Sequence, residues 1–287
     1  MSAPLGLIAG SGRLPFEVAE AALEAGRALA IVAIEENTDP AIARYAPDAL
    51  LWIAPGELGR LIEFLKSADV REVIFAGAVT KPEMLTDPAR LRPDARALTA
   101  LARLEGRGDD AILRAAAAEL ESDGLQVIES TRDLRDRLAA VGALNEVEVG
   151  AAVAADLALG LRVALALGVE DVGQSVVVRD GVVLAVEAIE GTDAAIRRGA
   201  ALGGAGAVVV KTAKPTQDLR FDVPAIGPVT IELARECGLR AIGLEAGRTL
   251  LLERERTLEA ATSCGIALVG LERAGAALHS GARGSGA

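Results

Sequence analysis

Short apolar runs alternate with amphipathic segments through the first half of the chain, and this alternation restricts the fold most tightly. LGLIAG (5–10), ALAIVAIE (28–35), DALLWIA (48–54) and EVIFAGAV (72–79) read as strands, while LPFEVAEAALEAG (14–26) and ELGRLIEFLKSAD (57–69) read as helices. Strands that take turns with helices predict a parallel sheet with helices on both faces. DARALTALARLEG and GDDAILRAAAAELESDG continue as helices, the second ended by Gly124, and LQVIES (125–130) adds a short strand.

Near residue 133 the pattern changes to RDLRDRLAAVGALNEVEVG, charged and then polar, which reads as a connection with hinge motion. Beyond it come a long helix from about 148 to 167 and two β-rich runs, SVVVRDGVVLAVEA (175–188), around Asp180–Gly181, a two-residue hairpin signal. Along such a strand Val186 and Ala188 are expected inside, with Glu187 facing the other way. A helix at GTDAAIRRGAALGG, a strand at AVVVK (207–211), a helix at VTIELARECG (229–238) and further α/β alternation end with the strand ALVGLE. The expected fold class is α/β: a Rossmann-like parallel-sheet domain over 1–132, a linker over 133–147, a C-terminal catalytic α/β domain over 148–274 and a flexible tail over 275–287.

Half the residues are apolar but aromatics are only 2%, so the core must be aliphatic. A net charge of −11 argues against nucleic-acid binding, which needs a basic surface. Cys237 and Cys264 are not in a CxxC pair, and the single histidine, His279, lies in the tail. Neither a disulfide framework, a zinc site nor a Ser–His–Asp triad is expected. MSAPLGLIAGSG has no basic region before a long apolar run, so no signal peptide is expected. The low-charge stretch from Gly150 to Gly168 is interrupted by Asp156 and Arg162 and reads as a buried helix rather than a membrane span. A soluble cytoplasmic protein follows from these readings.

Several segments carry polar groups where a ligand can sit. GLIAGSGRLP is a glycine turn after a strand and before a helix, where Gly10, Ser11 and Gly12 let backbone approach a phosphate; a simple tight turn explains them equally. Pro15 stands where a dinucleotide fingerprint has its third glycine, which weakens a nicotinamide reading despite Glu35 and Glu36 after the second strand. AGAVTKP offers Lys81 at a strand end, as an anion contact or a solvated lysine. Asp109 and Asp110 precede a helix and fit N-capping, with one carboxylate to spare for a metal or another loop. DVGQSVVVRDGVVLAVEAIEGTD places Gln174 and Ser175 before the hairpin and Glu187, Glu190 and Thr192 after it; Thr192 also suits an N-cap.

KTAKPTQDLRFDVPAIG, Lys211 to Gly227, is the densest candidate. Charged loops are usually just solvated, but two prolines stiffen this one. Asp218 and Asp222 can ligand a hard cation, Mg²⁺ or Mn²⁺, through oxygen. Lys211, Lys214 and Arg220 can neutralise phosphate oxygens. Acids and cations in one loop are what phosphoryl chemistry uses.

In this order, LIAGSGRLP, FAGAVTKP, GRGDDAILR, VGQSVVV with AVEAIEGTD, VVKTAKPTQDLRFDVPAIG and GLEAGRTLLLER resemble the UDP-2,3-diacylglucosamine pyrophosphatases of the LpxI type, to about residue 273. The resemblance implies two domains with a lipid-linked UDP-sugar in the cleft between them. It implies Mg²⁺-dependent hydrolysis to UMP and 2,3-diacylglucosamine 1-phosphate in lipid A biosynthesis, at the cytoplasmic side of the inner membrane with transient contact to its surface, and a homodimer among the expected forms. Carried onto this chain, Asp222 is the first choice as metal ligand or water activator. Asp218 and Gln217 support it, and Lys211, Lys214 and Arg220 form the phosphate clamp. Gly10, Ser11 and Gly12 suit the nucleotide end. Lys81, Gln174, Thr192 and Thr230 complete the substrate contacts, and Glu190 joins Asp218 and Asp222 as a metal ligand. The alternatives are a non-catalytic nucleotide- or lipid-binding protein, against which the intact charged loop argues, and an oxidoreductase using the glycine turn.

Overall fold

The computed structural model describes residues 3–46, 48–79, 92–103, 109–215, 218–221 and 223–273, with Asp109 and Asp110 described through their backbone alone. The chain folds as two α/β units. The first takes the chain up to Asp136 together with the short stretch Gln217–Val223; the second takes Arg137–Thr216 and the chain from Pro224 onward.

In the first unit, β1 (Leu5–Ala9), α1 (Leu14–Glu24), β2 (Leu29–Ile34), β3 (Leu50–Ile53), α2 (Leu58–Ser67) and β4 (Glu72–Ala76) are followed by α3 (Ala95–Ala102), α4 (Asp109–Ser122) and β5 (Gln126–Val127). The strands form one parallel sheet in the order β3-β2-β1-β4-β5. The chain runs outward from β1 in both directions, so the loops after β1 and β4 leave the sheet side by side, where doubly wound folds hold ligands. With so few aromatics the core is aliphatic: Ile8, Val32, Ile53, Ile62, Leu65, Val73 and Leu120 are buried together, and Phe221 joins them.

The second unit contains β6 (Gly142–Ala143), α5 (Ala151–Val169), β7 (Ser175–Arg179), β8 (Val182–Val186), α6 (Thr192–Gly203), β9 (Val208–Lys211), β10 (Ala225–Ile226), α7 (Pro228–Glu236), β11 (Ala241–Glu245), β12 (Leu250–Leu251), α8 (Arg254–Ser263) and β13 (Ala267–Leu271). Its main sheet runs β6-β13-β11-β9-β7-β8, parallel through β13, β11 and β9 and antiparallel at β6, β7 and β8, while β10 and β12 pair separately. Asp180 and Gly181 both take positive φ, 50° and 76°, in the hairpin turn that their sequence predicted. The stretch expected as a connection holds a 3₁₀ turn at Arg135–Arg137 and the strand β6. There Asn145 donates to the Ile266 carbonyl at 2.9 Å and accepts from the Leu268 N–H at 3.0 Å, which fastens the stretch to β13.

Both faces of this sheet are covered. Val176, Val178, Val208 and Val210 pack with Leu157, Leu161 and Leu165 of α5, while Val177 and Val209 pack with Ile196 of α6 and Ile231 of α7. Successive valines therefore enter opposite layers. This corrects the expectation for Glu187: it is buried, Val186 is half-buried and Ala188 is exposed. Alternation sorts apolar from polar only where one face meets water, and here neither does; β8 also ends at Val186, before Ala188.

α5 is the one helix among the described residues long and apolar enough to cross a membrane, by length and composition. Its inward side lies on the sheet, and Asp156, 6% exposed, turns inward with it. The Asp156 carboxylate accepts from the Asp180 N–H at 2.8 Å and the Gly181 N–H at 2.7 Å, tying the hairpin turn to the helix. Hydrogen bonds to a charged group contribute about 1.5–3 kcal/mol, so Asp156→Ala should lower unfolding stability by roughly 2 kcal/mol. A urea midpoint equal to that of the parent chain would show that water replaces the carboxylate at no cost.

Candidate functional site

The glycine turn after β1 is shaped by the loop beside it. Gly10 N–H donates to Ala76 O at 2.8 Å and Ser11 N–H to Ala78 O at 2.7 Å; the Ser11 hydroxyl donates to the same Ala78 carbonyl at 2.8 Å. A Cβ on Gly10 would meet Ala78 O at 2.5 Å, and one on Gly77 would meet Ser11 O at 2.3 Å. These two glycines are required by the close approach of two backbones, so the tight-turn reading accounts for Gly10. Gly12 differs: its φ is +90° and a Cβ there would meet nothing within 4 Å. α1 begins after Arg13 without a side-chain cap. Lys81 lies outside the described residues.

In the second unit a polar cluster forms where β7 begins and β8 and β9 end, beside α6. Ser175 pairs with Lys211 across the ladder, and Glu187 N–H donates to Ser175 O at 2.8 Å. The Thr192 hydroxyl donates to Glu187 Oε1 at 3.0 Å and lies 3.3 Å from the Ser175 hydroxyl. Thr192 is therefore no N-cap: Gly191, at φ 83°, occupies that position, and the threonine hydroxyl turns toward the carboxylate. Glu187 Oε2 and Gln174 Oε1 are both buried without a hydrogen-bond partner among the described residues, and the Gln174 carbonyl accepts from the Thr212 N–H at 2.9 Å.

Glu190 is drawn elsewhere. Its carboxylate pairs with Arg198 and accepts from the Ala188 N–H at 3.1 Å. The Arg198 guanidinium holds the Glu190 carboxyl below the usual carboxylate range. Thr230 serves its own helix, its hydroxyl reaching back to the Gly227 N–H at 3.5 Å.

The charged loop is divided between the units. Lys211 and Lys214 stand at its root in the second: Lys211 Nζ donates to Ala225 O at 3.1 Å, and Lys214 Nζ meets Asp171 at 2.7 Å. The stretch from Gln217 to Val223 belongs to the first. There Phe221 packs edge-on against Phe75, ring centroids 5.5 Å apart, and the Arg220 guanidinium lies 4.9 Å from the Phe221 ring centre. Arg220 grips Asp218 with two nitrogens, Nε to Oδ1 at 3.0 Å and Nη2 to Oδ2 at 2.7 Å, and reaches Glu121 at 3.1 Å. The Arg220 hydrogen bonds hold the Asp218 carboxyl below its ordinary range against the opposing effect of burial. Gln217 and Asp222 lie outside the described residues. Among the described residues no three acidic, histidine or cysteine side chains converge on a metal-sized space. With both oxygens of Asp218 engaged by a guanidinium, the described donors do not by themselves fit a Mg²⁺ ion.

Each unit is an α/β fold with its own sheet and core, and the chain is a two-domain α/β protein. The particular family is shown by comparison: the LpxI N-terminal domain matches residues 4–137 and the LpxI C-terminal domain residues 140–269, and the chain belongs to the LpxI family. It is 39% identical over 265 residues to the UDP-2,3-diacylglucosamine pyrophosphatase LpxI of Caulobacter vibrioides, covering 88% of this chain and 92% of that protein. Among solved structures, a UDP-glucose-4-epimerase from Stenotrophomonas maltophila, with bound NAD and formylated UDP-arabinopyranose, aligns at 15% identity and a TM-score of 0.27. That alignment covers 43% of this chain and 34% of the epimerase, and it is too weak a likeness to bear on function.

A carboxyl whose folded pKa is depressed adds stability that is present above its unfolded value and lost as pH falls through the folded one. The Asp218–Arg220 pair should therefore hold through the neutral range and fail only in acid, below the ordinary range for aspartate. Arg220→Ala should move the Asp218 carboxyl upward in a ¹³C-detected titration, because it removes the main cause of the depression. An unmoved titration would mean that Arg220 does not set this carboxyl.

Proposed function

We propose that this protein hydrolyses the pyrophosphate bond of UDP-2,3-diacylglucosamine, releasing UMP and 2,3-diacylglucosamine 1-phosphate in lipid A biosynthesis. The observation that carries this reading is the relationship to the Caulobacter vibrioides pyrophosphatase, which extends over 92% of that protein and so takes in both units. The charged loop supplies the chemistry. Lys211, Lys214 and Arg220 neutralise the phosphate oxygens, and a carboxylate, Asp222 first, activates the attacking water or holds a metal. Arg220 is held by Asp218 through Nε and Nη2 and by Glu121 through Nη1, and it meets a phosphate by exchanging one of these carboxylates for it.

Mg²⁺ or Mn²⁺ belongs to the proposal on the oxygen donor of Asp222, which suits a hard cation, with Asp218 joining it only where Arg220 lets that carboxylate go. When bound, such an ion would withdraw charge from the phosphoanhydride. Cytoplasmic location and transient contact with the inner membrane surface follow from a substrate that joins a nucleotide to acyl chains. A homodimeric form is part of the same proposal.

Purified protein incubated with UDP-2,3-diacylglucosamine and Mg²⁺ should release UMP; its absence would remove the proposed reaction. Asp222→Asn should lower turnover on the order of 10²–10⁴-fold while the circular dichroism spectrum is kept. Near-parental hydrolysis by that variant would exclude Asp222 from the chemistry. EDTA should abolish UMP release and added Mg²⁺ restore it. Full activity after exhaustive chelation would point instead to a cation-only mechanism through Lys211, Lys214 and Arg220.

A further inference from the structure

The β9–β11 ladder stops at Lys211 opposite Leu244, yet the chain beyond it stays buried: Ala213 is 0% exposed. Past the ladder a buried peptide has no neighbouring strand to bond, and an unsatisfied buried N–H or C=O is costly. Side chains complete the bonding. Glu245, the last residue of β11 and 1% exposed, accepts from the Ala213 N–H through Oε2 at 2.8 Å. Arg273, just past β13, donates from Nη2 to the Ala213 carbonyl at 3.2 Å. The two are joined to each other, Arg273 Nε to Glu245 Oε1 at 2.8 Å, and Arg248 Nε lies 3.6 Å from that same oxygen. The preceding peptide is fixed from the other side, where Thr212 N–H donates to the Gln174 carbonyl at 2.9 Å.

Ala213 lies between Lys211 and Lys214, the two cations at the root of the charged loop. We propose that Glu245 and Arg273 are positioning residues that fix both lysines for the phosphates by gripping the Ala213 peptide at its N–H and its carbonyl. The inference rests on the phosphoanhydride reading above. Neither residue touches the substrate; each acts through the backbone that carries the lysines. The buried carboxylate serves as the shared counter-charge of Arg248 and Arg273, so its loss both frees the Ala213 N–H and leaves two guanidinium groups facing each other.

The test uses the full chain with Glu245→Ala, Glu245→Gln and Arg273→Lys, alone and combined with Lys214→Ala. Glutamine keeps an acceptor for the Ala213 N–H but loses the ion pair, so it is the folded variant to rely on should alanine fail to fold. Two measurements are made: hydrogen exchange of peptides spanning residues 211–215, and kcat and KM for UDP-2,3-diacylglucosamine. Exchange should rise in the single variants, and kcat should fall on the order of 10–100-fold for Glu245→Ala, the size expected of a displaced catalytic group. Glu245→Gln should lie between Glu245→Ala and the parent chain. In the Lys214→Ala background the Glu245 substitutions should cost clearly less than in the parent chain, because one of the two lysines they position is gone. Fully multiplicative losses, or unchanged exchange and unchanged kcat, would overturn the proposal. If the parent chain itself released no UMP, the reading of the reaction would fall, while the exchange measurement would still decide whether the grip on Ala213 exists.

Discussion

Phe221 is buried in the hydrophobic core of the first unit, although the chain before Gln217 and after Val223 belongs to the second. The sequence contains only four phenylalanines, and two of them, Phe75 and Phe221, meet edge-to-face at an interplanar angle of 83°. Such a ring contributes apolar area that the aliphatic residues around it do not match individually, plus about 0.5–1.5 kcal/mol from the pair geometry. The placement of the charged loop depends on this contact. Asp218 and Arg220 stay with the first unit because the residue beside them is anchored there, while Lys211 and Lys214 stay with the ladder of the second.

The crowding of charges in that loop has a local logic. Each cation in the described part has an acidic or carbonyl partner: Lys214 meets Asp171, Lys211 meets the Ala225 carbonyl, and Arg220 meets Asp218 and Glu121. The protein carries a net charge of −11, and Lys214 and Arg220 are held against carboxylates while Lys211 is held against a carbonyl. Ion pairs this exposed contribute little stability of their own. What they provide is orientation.

Much of this architecture was legible in the sequence. The alternation of strands and helices gave the parallel sheet of the first unit, and Asp180–Gly181 gave the hairpin, because both signals are local. Features that depend on distant partners were not readable. β10 is two residues long and exists only through β12. Glu187 is buried because α6 covers a face that an isolated hairpin would leave to water. Nothing between Lys211 and Gly227 says that its middle belongs to another unit. Glu245 left a faint trace, an acid closing the apolar strand AIGLE, but its bond to Ala213 spans 32 positions along the chain. The Asp218 to Arg220 spacing showed an acid beside a cation without showing that the two would bind each other.

The chain passes between the units at Asp136–Arg137, Thr216–Gln217 and Val223–Pro224. Proteins are made from the N-terminus, and their domains generally fold as they emerge from the ribosome. The parallel sheet of the first unit is therefore synthesised complete while its core still lacks Phe221. The place of that ring, beside Phe75 in the cluster that holds Leu120 and Val127, stays open through the whole synthesis of β7, α6 and β9. The nascent chain carries an apolar socket until the loop arrives to fill it, and the unit that starts folding first is closed only after β7, β8, α6 and β9 of the second have been made.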